Sequence, residues 1–480
     1  MLRTHRTRRR IAWRPAAGAA LALLVVPGLI ATLAAEGPGE VQIRQFDNGG
    51  VYEGSFRDGR QHGQGTYRLP NGFEYTGDWV EGEMTGQGTA RYPGGAVFEG
   101  GFLRGHPHGE GRMTFPDGSV HEGAWEMGAM SGPGVLRLAT GETYEGGFLD
   151  GQRHGRGVMR TEAGYVYDGD WLEGAKTGTA TITHSDGAVY AGAVVDGVRA
   201  GPGRLELASG DVFEGTWEDG LLEGPGRLEF ANGDVFEGEF RGGRRHGQGV
   251  LRFADGAVHD GAFEDDRRHG PGLFTAASGA QLEGAWVEGR LQGQGRAVHA
   301  DGAVYEGSFR DGRPHGTGTM RFADGTVFEG RWDDGAILGD GIARFANGAV
   351  YEGGFEDGRK QGRGVLRLPD GYAYEGEWVA GQRHGAGVAH YPDGSVFEGA
   401  FRNDARHGQG VFLMPDGFRY EGTWVEGRIE GAGTATYPDG AVFEGSFRDG
   451  ERHGAGVLRY PSGAVLDGQW EMGAFVAPGE

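Results

Sequence analysis

The chain contains no cysteine, which excludes disulfide staples and thiolate metal sites outright. It has no three-residue glycine period, so 101 glycines in 480 residues do not spell a collagen helix. No acid precedes Glu36, and no helical periodicity is readable after residue 35. There is no basic excess either, because the formal net charge is −22. Setting aside Arg3, Arg6, Arg8, Arg9, Arg10 and Arg14 leaves 40 basic against 68 acidic residues, or −28 for the rest. That acidity argues against nucleic acid as a partner and against broad adhesion to anionic lipid.

What is present is repetition. VYEGSFRDGRQHGQG (Val51–Gly65) returns almost unchanged as AVYEGSFRDGRPHGTG and AVFEGSFRDGERHGAG. The leading aromatic stands at Tyr52, Tyr75 and Phe98, and the pattern continues every 23 residues to Leu466, nineteen starts without insertion or deletion. A fixed period in this range marks a repeat array rather than a set of independent domains. Counted from the leading position as zero, glycine recurs at offsets 2, 7, 11, 13 and 20, as in Gly54, Gly59, Gly63, Gly65 and Gly72. The repeat therefore explains the glycine content, and the 11% of aromatic residues between those glycines allow a packed surface.

The first 35 residues read differently. MLRTHRTRRRIAWR is basic, Pro15–Ala35 carries no charge, and polar EGPGE follows. This layout predicts a signal peptide or a hydrophobic signal-anchor helix over 1–35, with the basic end inside and the repeats across an inner membrane, on the periplasmic side. The uncharged run of 21 residues is just long enough to span a bilayer. Residues 36–50 then form a linker and a capping strand, 51–476 the repeats, and 477–480 a tail.

Each unit carries two turn signals, Asp58–Gly59 and Pro70–Asn71–Gly72 with their equivalents, separated by segments alternating with period two. They predict β-hairpins. A three-residue loop closed by glycine makes Leu69 and Phe73 the closing pair. Tyr67 then faces Tyr75, Gly65 faces Gly77 and Gly63 faces Trp79, all on one side, while Glu74, Thr66, Arg68 and Val51 fall on the other. A one-residue slip would reverse every face. The expected fold is all-β: an elongated, twisted antiparallel sheet, in which some 38 strands at ~4.8 Å spacing would extend on the order of 180 Å.

The unit resembles the MORN repeat (membrane occupation and recognition nexus). YEGSFRDGRQHGQGTYRLPNG at Tyr52–Gly72 and YEGEWVAGQRHGAGVAHYPDG at Tyr374–Gly394 carry the likeness, which extends over about nine-tenths of the chain. It implies consecutive hairpins in one sheet, and roles in protein binding, dimerisation and membrane association. MORN arrays occur in junctophilins, plant phosphatidylinositol phosphate kinases, alsin and protist cytoskeletal scaffolds. The kinase role does not transfer, since no stretch is left for a kinase domain. Several copies depart from the pattern: His121, His259, Leu282 and Leu466 replace the leading aromatic, Ala191 and Val194 weaken one unit, Ala180 replaces a glycine, and Asp266 and Asp404 stand where glycine is usual. These read as drift, or as bends or contact sites.

Three ladders invite chemistry. Histidines at offset 10, from His62 to His453, recur at repeat spacing, ~10 Å or more apart, too far to share one zinc. They are expected to pack turns, with no metal and no cofactor. Glutamates such as Glu53, Glu99 and Glu145 are likewise too widely spaced for a glycosidase pair and have arginines available across the strand. Catalysis is not expected. The third ladder, at offset 4, is the candidate ligand or partner face: Phe56, Trp79, Phe102, Trp125, Phe148, Trp171, Trp217, Trp286, Trp332, Trp378, Trp424 and Trp470. Its Phe/Trp alternation suggests a true period of 46. Either these rings pack into neighbouring hairpins, or they line a groove that stacks an extended ligand. The sequence thus predicts a non-enzymatic envelope scaffold or spacer for protein partners, with self-assembly through free strand edges. The alternative is a binding module for a glycan, peptide or lipid headgroup along the aromatic face.

Overall fold

A computed structural model describes residues 41–477. The expected helix over 1–35 lies outside the described residues, and among those described no helix is long and apolar enough to cross a membrane. The described chain is all-β, with 39 strands in sequence order. The described residues divide into two compact units, one running to Ala231 and including Phe240–Gly243, the other comprising Asn232–Glu239 and the residues from Arg244 onward.

The first strands set the rule. β1 (Gln42–Gln45) pairs antiparallel with β2 (Val51–Arg57), β2 with β3 (Arg60–Arg68), and β3 with β4 (Glu74–Val80). β1 lies within residues 36–50; at the other end, Ala474–Val476 pairs with Val465–Glu471. The β3–β4 register is Tyr67 opposite Tyr75, Gly65 opposite Gly77 and Gly63 opposite Trp79, as the alternation requires. Leu69 N donates to Phe73 O at 2.8 Å and Gly72 N to Leu69 O at 3.1 Å, closing the three-residue loop. Gly72 turns it with φ +91°, a left-handed conformation that strains a side chain.

The β2–β3 hairpin is tighter. Arg57 pairs with Arg60 across Asp58–Gly59, both at positive φ, the geometry of a type I′ turn. The ladder then shifts between Gly54 and Phe56, which face Gly65 and Gln61. This bulge takes up His62 and Gly63 and returns the glycine pair to register. It recurs in the other Asp–Gly-type hairpins, for example between Gly353 and Phe355.

On the second face, acids and bases pair across strands as expected. Arg68 Nε lies 2.8 Å from Glu74 and its Nη1 3.5 Å from Glu53. These pairs are half-exposed, and each contributes about 1 kcal/mol or less.

Candidate functional site

The aromatic face is organised by ring size against absent side chains. The offset-0 ring lies over a pair of glycines facing each other across strands, so that Tyr351 covers Gly353 and Gly364. Its hydroxyl donates to Gly354 O at 3.1 Å. The offset-4 ring stands edge-on between the offset-0 rings of its own unit and the preceding one. From Tyr351 the zigzag runs Tyr351–Trp378 5.3 Å, Trp378–Tyr374 5.2 Å, Tyr374–Phe401 5.0 Å, Phe401–Phe397 5.1 Å and Phe397–Trp424 5.3 Å between centroids. All five contacts are T-shaped, and such pairs add about 0.5–1.5 kcal/mol each beyond the area they bury.

The candidate ligand face of the sequence therefore lies inside. Trp79, Phe102, Trp125, Phe148, Trp171, Trp217, Trp286, Trp332, Trp378, Trp424 and Trp470 are all buried; Trp378 is 2% exposed. Phe56, on the first rung, is half-buried and packs edge-on to Tyr52. Each of these nine indoles also spends its N–H within the fold, donating to a glycine carbonyl fourteen residues upstream: Trp79 to Gly65 at 3.1 Å, Trp378 to Gly364 at 3.2 Å and Trp470 to Gly456 at 3.0 Å. Neither ring face nor N–H is left for a stacked ligand, so the groove expectation is corrected to core packing.

A second set of residues, not singled out from the sequence, covers the ladder. At offset 9 stand Arg153, Lys176, Arg199, Arg245, Arg268, Lys360, Arg383, Arg406 and Arg452. In most other units this position is apolar, and it is interior at Leu222 and Leu291. The cations lie over the next tryptophan where there is one: Lys360 Nζ is 4.1 Å from the Trp378 centroid, Arg406 4.0 Å from Trp424 and Arg452 4.3 Å from Trp470. Such contacts contribute about 0.5–2 kcal/mol, more as the cation is desolvated. The signal was in the sequence: the chain's two lysines, Lys176 and Lys360, both occupy this offset.

These arginines tie successive hairpins together. Arg406 donates to Gly427 O at 3.1 Å and Arg452 to Gly473 O at 2.8 Å. Where that turn residue is aspartate, its carboxylate joins in. Asp404 Oδ1 accepts from Arg383 N at 2.9 Å and Nε at 3.1 Å, and its carbonyl accepts from Nη2 at 2.7 Å. Asp266 repeats the arrangement on Arg245. These two departures from glycine are ion-pair clasps, and the positive φ of 69° at Asp404 is tolerated in exchange for them.

A MORN repeat family model matches seventeen segments between residues 52 and 465, from 52–73 through 351–371 to 443–465. The chain belongs to the MORN repeat family. The matched segments do not include 328–350, yet Val327–Asp333 and Ala336–Arg344 keep the MORN register, with Gly330 opposite Gly341. No curated protein matches the chain. Among solved structures, it is similar to the G-box domain of the microcephaly protein CPAP (12% identity, TM-score 0.21, covering 52% of this chain and 100% of that one). It is also similar to the TCP10 domain of Danio rerio CPAP in complex with a STIL peptide (11%, TM-score 0.16, 56% and 95%) and to a streptogramin B lyase (14%, TM-score 0.11, 66% and 91%). None of these scores reaches the level of a shared overall fold.

The offset-10 histidines of the MORN units do not gather ligands. Among the described residues no three His, Asp or Glu side chains come together as a metal set. His315 instead lies 3.1 Å from Arg310 and 3.0 Å from Asp333, a turn-packing arrangement.

Proposed function

We propose that this MORN array is a non-enzymatic scaffold or spacer of the cell envelope that holds protein partners. The observation that carries the reading is that the hairpin unit claims residues 51–476 without an inserted element. Concavities on the strand faces are shallow: a groove of ≈ 570 Å³ on the polar face, with Gly307, Gly318 and Gly330 in its lining, and another of ≈ 530 Å³ beside Lys360. A surface repeated at fixed intervals presents the same contacts many times, which suits assembly better than convergent chemistry. The arginine-rich, then uncharged, start of the sequence supports the envelope location.

The test is crosslinking in the protein's own cells, followed by fractionation and isolation of the tagged full chain. The reading expects discrete protein adducts heavier than the 51.0 kDa chain, in the envelope fraction. A chain recovered from the soluble interior at the mass of one copy would overturn it.

A further inference from the structure

On the acidic body of this protein, many exposed arginines are neutralised on the spot, as Arg428 is by Asp449 at 2.6 Å and Arg313 by Asp334 at 2.8 Å. Lys360, Arg383 and Arg406 share a single carboxylate among the three. They occupy the same offset in three successive units, so they lie about two strands, ~10 Å, apart in a row. All three are half-buried on the aromatic face. The row holds one carboxylate: Asp404 engages Arg383 at 3.1 Å, and among the described residues none reaches ion-pair distance of Lys360 or Arg406. Burial, with Arg383 adding and Asp404 opposing, holds the Lys360 ammonium below the ordinary lysine range. Cations that are partly desolvated and incompletely paired are an electrostatic cost in the free protein. An incoming anion would relieve it.

The row also has a cleft. The ≈ 530 Å³ groove is lined by Lys360, Arg383 and Asp404, with Tyr372 and Tyr391 as aromatic walls and Trp378 beneath. The two tyrosine rings are 5.6 Å apart, and the Tyr372 hydroxyl is held by Arg383. A similar row of two arginines and one lysine occurs in Arg153, Lys176 and Arg199: one carboxylate, Glu142, on Arg153, and one tyrosine, Tyr165, 3.1 Å from Lys176 Nζ.

We infer that the Lys360–Arg383–Arg406 row, with the groove along its first two cations, docks an extended acidic segment of a partner protein, with carboxylates at about every third residue. The spacing follows from geometry: an extended polyproline-II segment has three residues per turn and rises ~3.1 Å per residue, so every third side chain returns to one face at close to the ~10 Å between successive cations. Charge complementarity selects carboxylates, and the tyrosine walls accept the segment's apolar stems. The inference deepens the scaffold reading by naming the partner's chemistry, while adducts formed through other faces would leave that reading standing if this one failed.

The test uses the full chain and a fluorescent nonapeptide bearing glutamate at positions 2, 5 and 8 in an alanine–serine background. Binding is read by anisotropy and by protection of Lys360 from acetylation, located by mass spectrometry; with two lysines in the chain, the footprint is unambiguous. The expected result is saturable binding that protects Lys360, weakens with salt, and falls at least tenfold when glutamine replaces the three glutamates. Lys360→Met with Arg406→Gln also lowers affinity at least tenfold, whereas Arg363→Gln, on an exposed position of the same strand, leaves it unchanged. Lys360→Met retains a long stem over Trp378, and a retained cooperative thermal transition shows that the fold persists. Absence of binding, equal binding of the glutamine peptide, or equal loss in Arg363→Gln would overturn the proposal.

Discussion

Replacing Gly364 by alanine is expected to cost about 3 kcal/mol or more, although it adds one methyl group. A Cβ at Gly364 would stand 2.2 Å from the Tyr351 hydroxyl oxygen and 2.5 Å from Cζ. Tyr351 cannot withdraw, because it is fully buried and wedged between Phe355 and Trp378. The matched control is Gly371→Ala. That glycine turns a loop at φ +98° with nothing within 4 Å of its Cβ, so the substitution should cost only the ~1–2 kcal/mol of a left-handed side chain. Urea denaturation of the two variants measures the difference. Hydrogen exchange should place the weakening in the hairpins around Tyr351, since a repeat array is held by nearest-neighbour interfaces. Equal costs at the two sites would mean that ring-over-glycine contact does not govern the unit.

Acidification from pH 7 to pH 5 should destabilise the protein by about 2 kcal/mol for each of two histidines. His121 and His259 replace the offset-0 ring and are 0% exposed, packed edge-on against Trp125 and Phe148, and against Phe263 and Trp286. Neither ring nitrogen of either histidine has a hydrogen-bond partner in the protein. Burial lowers both to about 4; Glu122 opposes the shift at His121, and Arg268 adds to it at His259. The unfolded chain, near 6.5, therefore binds protons first as pH falls. Stability is lost from about pH 6.5 down to about 4, then levels off for these groups. His121→Phe and His259→Phe place at each site the residue that other units use, as at Phe98 and Phe236. Both variants should raise the melting temperature and flatten the pH 7-to-5 loss, each in its own stretch of repeats. A wild-type melting temperature that does not move over this interval would contradict the assignment.

The unit, its turns and the three-residue loop register were legible because glycine and aromatic positions alternate in phase on either side of Pro70–Asn71–Gly72, leaving one register that keeps Tyr67, Tyr75 and Trp79 on a common face. The aromatic ladder was legible as a ladder, with packing into neighbouring hairpins and a ligand groove left as alternatives. A sheet with one apolar face normally needs a second layer to cover it, and here the cover comes from the rings themselves, lying over glycines and interlocking along the array. The cation row escaped notice for a related reason. Charged residues are assigned to the solvent face by default, and the bulge after Gly54 and its equivalents breaks the count that would place offset 9 over the rings. Asp404 and Asp266 looked like drift because the guanidinium each one clasps comes from the preceding unit.

The claim most exposed to test is that the aromatic ladder is the core of the fold rather than a ligand surface. Exchange of the indole N–H protons, followed by NMR on protein labelled at tryptophan, measures it directly. Nine indoles, from Trp79 to Trp470, donate to glycine carbonyls inside the sheet. They should give nine dispersed resonances that exchange orders of magnitude more slowly than a free indole, at rates set by local opening of the hairpins. Indoles exchanging at the free rate in a protein whose backbone amides stay protected would put the rings on the surface and contradict the account.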